Sequence, residues 1–271
     1  MTTRIICRII VKNTCFKRGI ILARGTKQID GQLTFEMCLD KSNYVVQSNT
    51  LIGGKQALKV NSAKLIRAAI MQVVKEDQEL KPYVITINQL SELLSVPKSN
   101  LYRDVYDITD DIFKNPVFLK AETGKKIAWV KIPWVTRCEY RSDVGIAITL
   151  NDQLKPYLIN LKKHYTQYEL ADVLTMKSVY GIRIYELLQE IRQNRNIPKD
   201  GIEIPLSIET IREVCDCEKK YPTFSNLRAR VIDAAVKDIN KSTNYRVTYT
   251  YQKEGKSVTG VIFNLNVFYH T

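Results

Sequence analysis

Apolar residues recur at helical spacing over Ser62–Glu76, where Leu65, Ile66, Ala69, Ile70, Val73 and Val74 share one face. Pro82 ends that region, and Tyr83-Val84-Ile85 predicts a short strand. Thr86-Ile87-Asn88-Gln89 then has the spacing of a capping box, hydroxyl first and amide three residues on. Leu90, Leu93 and Leu94 line the short helix it opens, Ser95-Val96-Pro97 breaks it, and Pro97 suits the start of the next helix. Leu101, Val105, Ile108 and Ile112 form the buried side of that second helix. Two short helices joined by a tight turn predict a helix-turn-helix. The apolar runs from Val117 to Val135, around Thr123-Gly124-Lys125, predict the hairpin wing of a winged helix.

The order then returns. Ser99-Asn100-Leu101-Tyr102-Arg103-Asp104-Val105-Tyr106-Asp107 matches Ser225-Asn226-Leu227-Arg228-Ala229-Arg230-Val231-Ile232-Asp233 in Ser, Asn, Leu, Val and Asp. Upstream, the helix from Ser62 matches one from Ser178 in Ser, Ile and Arg. Between the halves, Ile146, Ile148 and Leu150 alternate as a strand, and Asn151–Lys163 predicts a helix. Thr166–Met176 opens the second unit, Ser178–Gln193 is its long helix, and Asn194–Gly201 a polar loop. Ile202-Glu203-Ile204 is a strand, Ser207–Val214 and Thr223–Asn240 the paired helices, and Cys215–Pro222 a longer turn. Tyr245–Tyr251 and Ser257–Phe268 flank Gly255-Lys256 as wing strands. Repetition on this scale predicts an α+β fold of two tandem winged-helix (helix-turn-helix) domains, residues 44–140 and 141–271. Residues 1–43 match neither half and read as an N-terminal extension. Its Ile5–Val11 run, interrupted by Arg8 and without a cleavage site after it, predicts a short strand and not a signal peptide.

Charge narrows the partner. Among 271 residues, 41 Lys and Arg face 28 Asp and Glu, a formal +13. That excess predicts a polyanionic partner, nucleic acid first and an acidic membrane surface second, against the plain alternative of a basic soluble protein. No apolar stretch approaches the ~20 residues that cross a bilayer. The cysteines Cys7, Cys15, Cys38, Cys138, Cys215 and Cys217 make no C-x-x-C pair, and His164 and His270 lie far from Cys215-Asp216-Cys217. No metal site or cofactor is expected, and scattered thiols fit a reducing cytoplasm. A DNA-nicking enzyme needs a His-apolar-His metal motif, and a nucleotide hydrolase a phosphate loop. Neither stands in this sequence, so no enzymatic activity is expected.

A reading helix buries one face and offers the other to the groove. In the second unit Ser225, Asn226, Arg230 and Lys237 point away from the core, Arg228 lies nearer its edge as a phosphate binder, and Lys219 and Lys220 precede the helix. In the first, Lys98, Ser99, Asn100 and Arg103 favour DNA, whereas Asp107 and Asp110 repel phosphate. Lys125 and Lys126 at one hairpin tip and Lys256 at the other suit phosphate contacts. The second unit is therefore expected to be the main reader and the first an accessory one. A merely solvated polar face is the competing reading of either helix alone.

Several segments resemble the initiator replication proteins of theta-replicating, iteron-containing bacterial plasmids. They are Tyr44–Leu51, Leu65-Ile66-Arg67-Ala68, Lys98–Val105, Leu154-Lys155-Pro156-Tyr157-Leu158, Lys177–Leu188 and Phe224–Ile232, colinear over about residues 44–268. The resemblance implies two winged-helix domains related by a pseudo-two-fold. It implies binding to directly repeated duplex sequences at a plasmid origin, and a homodimer, formed through the first winged helix, that represses its own gene. Host initiator and replicative helicase are implied partners, and a membrane is not. A winged-helix transcriptional regulator without a replication role is the alternative.

Overall fold

The computed structural model describes residues 35–36, 44–75, 77–120, 128–193 and 201–267. The strand expected at Ile5–Val11, the tip Thr123–Lys126 with its two lysines, and residues 194–200 lie outside them. After β1 (Phe35–Glu36), the first unit runs β2 (Tyr44–Ser48), α1 (Asn49–Gly53), α2 (Val60–Ile70), β3 (Pro82–Thr86) and α3 (Ile87–Leu94). The capping box forms: Thr86 Oγ1 accepts from Gln89 N at 3.4 Å and Gln89 Oε1 from Thr86 N at 2.8 Å. Ser95, at φ 56°, turns the chain out of α3, and a 3-10 turn at Lys98–Asn100 leads into α4 (Leu101–Lys114). Then come β4 (Val117–Lys120), β5 (Trp129–Ile132), β6 (Val135–Arg141), β7 (Gly145–Leu150) and the short α5 (Lys155–Leu158). The second unit runs β8 (Tyr165–Glu169), α6 (Leu170–Leu174), α7 (Val179–Arg192), β9 (Ile202–Ser207), α8 (Ile208–Val214) and α9 (Phe224–Leu227). A π turn (Arg228–Ile232) joins α9 to α10 (Asp233–Ser242), and β10 (Tyr245–Glu254) and β11 (Ser257–Val267) follow. Two expected helices are shorter: α2 ends at Ile70, not Glu76, and α5 stops at Leu158, with Asn160 at φ 53° soon after.

The wing of the first unit is not the one the local pattern predicts. Its sheet has the order β1-β3-β7-β6, and the second unit's sheet β10-β11-β9. β7 pairs antiparallel with β3 as β11 does with β9, so β6–β7 is the wing and β4–β5 an inserted two-stranded ribbon. The ribbon attaches beside α1, where Lys55 N donates to Phe118 O at 2.9 Å. Gly145 stands opposite Thr86, and Gly260 opposite Ser207, each partner being a helix N-cap. A Cβ at Gly145, where φ is +139°, would lie 2.1 Å from Ile85 O, so the close crossing requires glycine. The division expected between 140 and 141 falls within the β6–β7 hairpin, and the first unit's sheet continues to Leu150.

β2 and β8, the leading strands of the two units, pair antiparallel with Tyr44 opposite Glu169, Val46 opposite Gln167 and Ser48 opposite Tyr165. Each strand runs directly into its unit's first helix, so Val46 and Gln167 occupy equivalent places and a local two-fold passes between them. One continuous apolar core spans both units, with Leu65, Leu90, Leu101 and Val105 on one side and Leu188, Leu227, Val231 and Phe263 on the other, all at 0–1% exposure.

Candidate nucleic-acid interface

α9, the π turn and α10 bury Leu227, Val231, Ile232, Ala235 and Ile239. Ser225, Asn226, Ala229, Arg230 and Lys237 are exposed, as the spacing predicts, and Arg228, which the spacing places nearer the buried edge, is exposed as well. The turn from α8 is held by a residue that spacing did not single out. Arg212 donates from Nη1 to Lys220 O and from Nη2 to Tyr221 O, both at 2.8 Å. Lys219 and Lys220 are exposed in this turn, with Lys220 3.6 Å from Asp216. Gly255, at φ 59°, makes the wing tip, and Lys253 and Lys256 are exposed beside it. Between helix and wing lies a cleft of about 530 Å³ bordered by Arg212, Phe224, Ser225, Arg228, Tyr251, Lys253 and Lys256. Four cations on one concave surface make an anion-binding trough.

The π turn inserts one residue. Leu227 and Val231 follow the frame of Leu101 and Val105, but beyond Ile232 the buried positions are Ala235, Asp238 and Ile239 against Ile108, Asp111 and Ile112. The repeat therefore continues one residue out of frame beyond Val231. The matched aspartates share a task. Asp111 Oδ2 accepts from Lys59 N, and Asp238 Oδ2 from Ser178 N, each residue being the N-cap of its unit's long helix.

The corresponding surface of the first unit differs in chemistry. Lys98, Ser99 and Asn100 are exposed at the start of α4, and Arg103 is exposed but lies 3.3 Å from Asp104. Lys114 pairs with Asp110 at 2.6 Å. Tyr102, Tyr106 and Phe113 are exposed by 72, 67 and 48%. On its wing, Arg137 pairs with Glu139 at 2.5 Å and Arg141 with Asp143 at 3.3 Å.

Where the units meet, a charged cluster is sealed from water. Glu186 on α7 accepts from Arg67 at 3.0 Å through both carboxylate oxygens, from Arg183, from Tyr168 at 2.5 Å and from Gln47 at 2.9 Å. Arg183 also donates to the carbonyls of Ile52 and Gly54, and Arg67 to Gln56 Oε1 at 2.7 Å. Arg67 and Arg183 are equivalent by the repeat, so one carboxylate near the local two-fold joins both halves. Burial pushes the Glu186 carboxyl up, but Arg67 and Arg183 outweigh it and hold its pKa at about 2.

Burial raises the Cys138 thiol to about 12 and, against Arg212 and Lys220, the Cys217 thiol to about 11. Among the described residues no three His, Cys, Asp or Glu side chains converge as metal ligands would, and no helix is long and apolar enough to cross a membrane.

Two winged helices, one carrying a basic trough beside its second helix, define a DNA-binding class of protein. Family comparison gives the particular kind. Residues 44–189 match the model described as "Initiator Replication protein, WH1", and residues 207–265 the model "Initiator Rep protein, WH2". The chain belongs to this family of replication initiators. An Escherichia coli protein described as an uncharacterized 27.6 kDa protein is 22% identical over 240 residues, 84% of this chain and 98% of that one. The "PI protein" of Escherichia coli is 27% identical over 148 residues, 50% of this chain and 48% of that one. The crystal structure of Pi initiator protein in complex with iteron DNA superimposes with a TM-score of 0.69 at 18% identity, covering 86% of this chain and all of that one.

Proposed function

We propose that this protein initiates plasmid replication by binding directly repeated duplex sequences, iterons, at the origin. The second unit is the main reader, through Ser225, Asn226 and Arg230, with Lys219, Lys220, Arg228, Lys237 and Lys256 on phosphates. The first makes a lighter contact through Lys98, Ser99, Asn100 and Arg103 and serves as the dimer surface of a self-repressing form. The observation that carries this reading is the trough between α9 and the β10–β11 wing, where Arg228, Lys253 and Lys256 stand together. The complex of the structurally similar Pi initiator protein with iteron DNA supports the choice of partner. The protein acts in the cytoplasm, alongside the host initiator and replicative helicase, and has no nicking or nucleotide-hydrolysing chemistry of its own.

Neutralising ~6–8 phosphates gives a slope of roughly −5 to −7 for log affinity against log salt. Titration with a duplex selected by the protein from a random library tests this, and a flat line contradicts it. Supercoiled origin plasmid incubated with protein and divalent metal stays supercoiled; open circles that depend on a single tyrosine contradict the non-enzymatic reading.

A further inference from the structure

Asp233 sits on the proposed reading helix as an exposed acid, a poor choice beside phosphate unless it has a task. Its two carboxylate oxygens face different groups. Oδ1 accepts from the Tyr249 hydroxyl of the wing strand β10 at 2.6 Å. Oδ2 lies 3.9 Å from Nε of Arg228. In an α-helix, residues five apart do not face each other. Here Asp233 N donates to Arg228 O across the π turn, an i to i+5 bond, and this stacks the two side chains on one side of the helix. Arg228 borders the trough with Lys253 and Lys256. Phe224 and Tyr251, with ring centroids 5.5 Å apart, tie helix to wing a second time.

We propose that Tyr249 and Asp233 are positioning residues that hold the Arg228 guanidinium in the trough, where it takes one DNA phosphate, and that the inserted residue of the π turn brings acid and base together. This rests on the reading that the second unit's helix and wing face DNA. An unanchored arginine on an exposed helix samples many rotamers and must be ordered on binding. The link from wing to acid to guanidinium orders it beforehand. The Phe224–Tyr251 contact separately holds helix and wing together, so the orientation of the two does not depend on Tyr249.

Electrostatics alone and positioning give opposite signs for one variant. Asp233→Asn removes a negative charge from a DNA-facing surface. If Asp233 merely repels phosphate, the variant binds every duplex more tightly. If it positions Arg228, the variant binds more weakly. Fluorescence anisotropy with full-length protein is measured on a duplex selected by the wild type from a random library and on its shuffled counterpart, across a salt series. Tyr249→Phe and Asp233→Asn are each expected to weaken both duplexes by roughly three- to tenfold, a modest coupling between neighbours. Each should also make the salt slope shallower by about 0.9, one phosphate contact, as Arg228→Ala does. Tyr249→Phe combined with Arg228→Ala should bind no more weakly than Arg228→Ala alone, and Arg228→Lys should keep the slope. Thermal melting checks that Tyr249→Phe remains folded. Wild-type affinity and slope in Tyr249→Phe, or tighter binding by Asp233→Asn, overturns the positioning role. Salt-independent binding by the wild type overturns the underlying DNA reading instead.

Discussion

Where the second unit carries Arg228 and Arg230, the first carries Tyr102 and Asp104 at the matching places of its repeat. The supporting faces hardly differ: Leu101 and Val105 against Leu227 and Val231, all at 0–1% exposure. One scaffold thus presents two chemistries. α4 carries Asp104, Asp107, Asp110 and Asp111 against Arg103 and Lys114. Its exposed tyrosines and Phe113 suit contact with protein better than with phosphate. The corresponding helix of the second unit begins beside a basic trough. The fold stands twice in the chain, and in the proposed reading surface substitution, which costs little stability, divides the labour.

The largest expected effect concerns the joint that makes the two units one body. Glu186→Ala leaves Arg67 and Arg183, exposed by 0 and 1%, without their shared carboxylate. Breaking a buried pair from one side costs ~3–5 kcal/mol, so urea denaturation should show a loss of that order. Stability should also fall with acid. The Glu186 carboxyl is depressed from 4.5 to about 2, so its contribution is complete above the unfolded value and disappears as pH falls from 4.5 towards 2. A Glu186→Gln variant should lack this part of the acid dependence.

The next effects exchange the chemistry of the two helices. Arg230→Asp, which gives the second helix the residue of the first, should remove a groove contact worth ~1–3 kcal/mol of discrimination. Selected-duplex affinity should fall towards that of the shuffled duplex. Asp104→Arg, the reverse exchange, should steepen the salt slope by about 0.9 if the first helix lies near the backbone. Lys256→Ala should weaken both duplexes alike and make the slope shallower by about 0.9. Arg141→Ala at the first unit's wing should change affinity by less than about twofold, since exposed paired charges contribute little. A larger loss there than for Lys256→Ala would reverse the assignment of the wings.

Much of the helical layout is legible because it is local. The 3.6-residue period marks α2, α4 and α7, and the Thr86–Gln89 box marks the start of α3. The repeated phrase at Ser99 and Ser225 identifies the paired helices. The wing of the first unit is not local, since β3 finds β7 across almost sixty residues of chain. Two apolar hairpins compete for the role, and a Gly-Lys tip drew attention to the wrong one. A usable signal existed: Gly145-Ile146-Ala147-Ile148-Thr149-Leu150 and Gly260-Val261-Ile262-Phe263-Asn264-Leu265 share glycine, apolar alternation and leucine. Beyond Val231 the inserted residue of the π turn hides the match of Asp111 with Asp238. Glu186 stands opposite Ile70 in the repeat and so carried no sequence signal, although it joins the halves. Arg212 reads as a helix-surface charge until the turn it holds is visible.

Hydrogen–deuterium exchange of the full chain, with and without a library-selected duplex, tests the division of labour most directly. The duplex should protect residues 223–232 and 252–258 more strongly than residues 98–107 and 141–145. Stronger protection at 98–107, with 223–232 unchanged, would contradict the assignment of the second unit as the main reader.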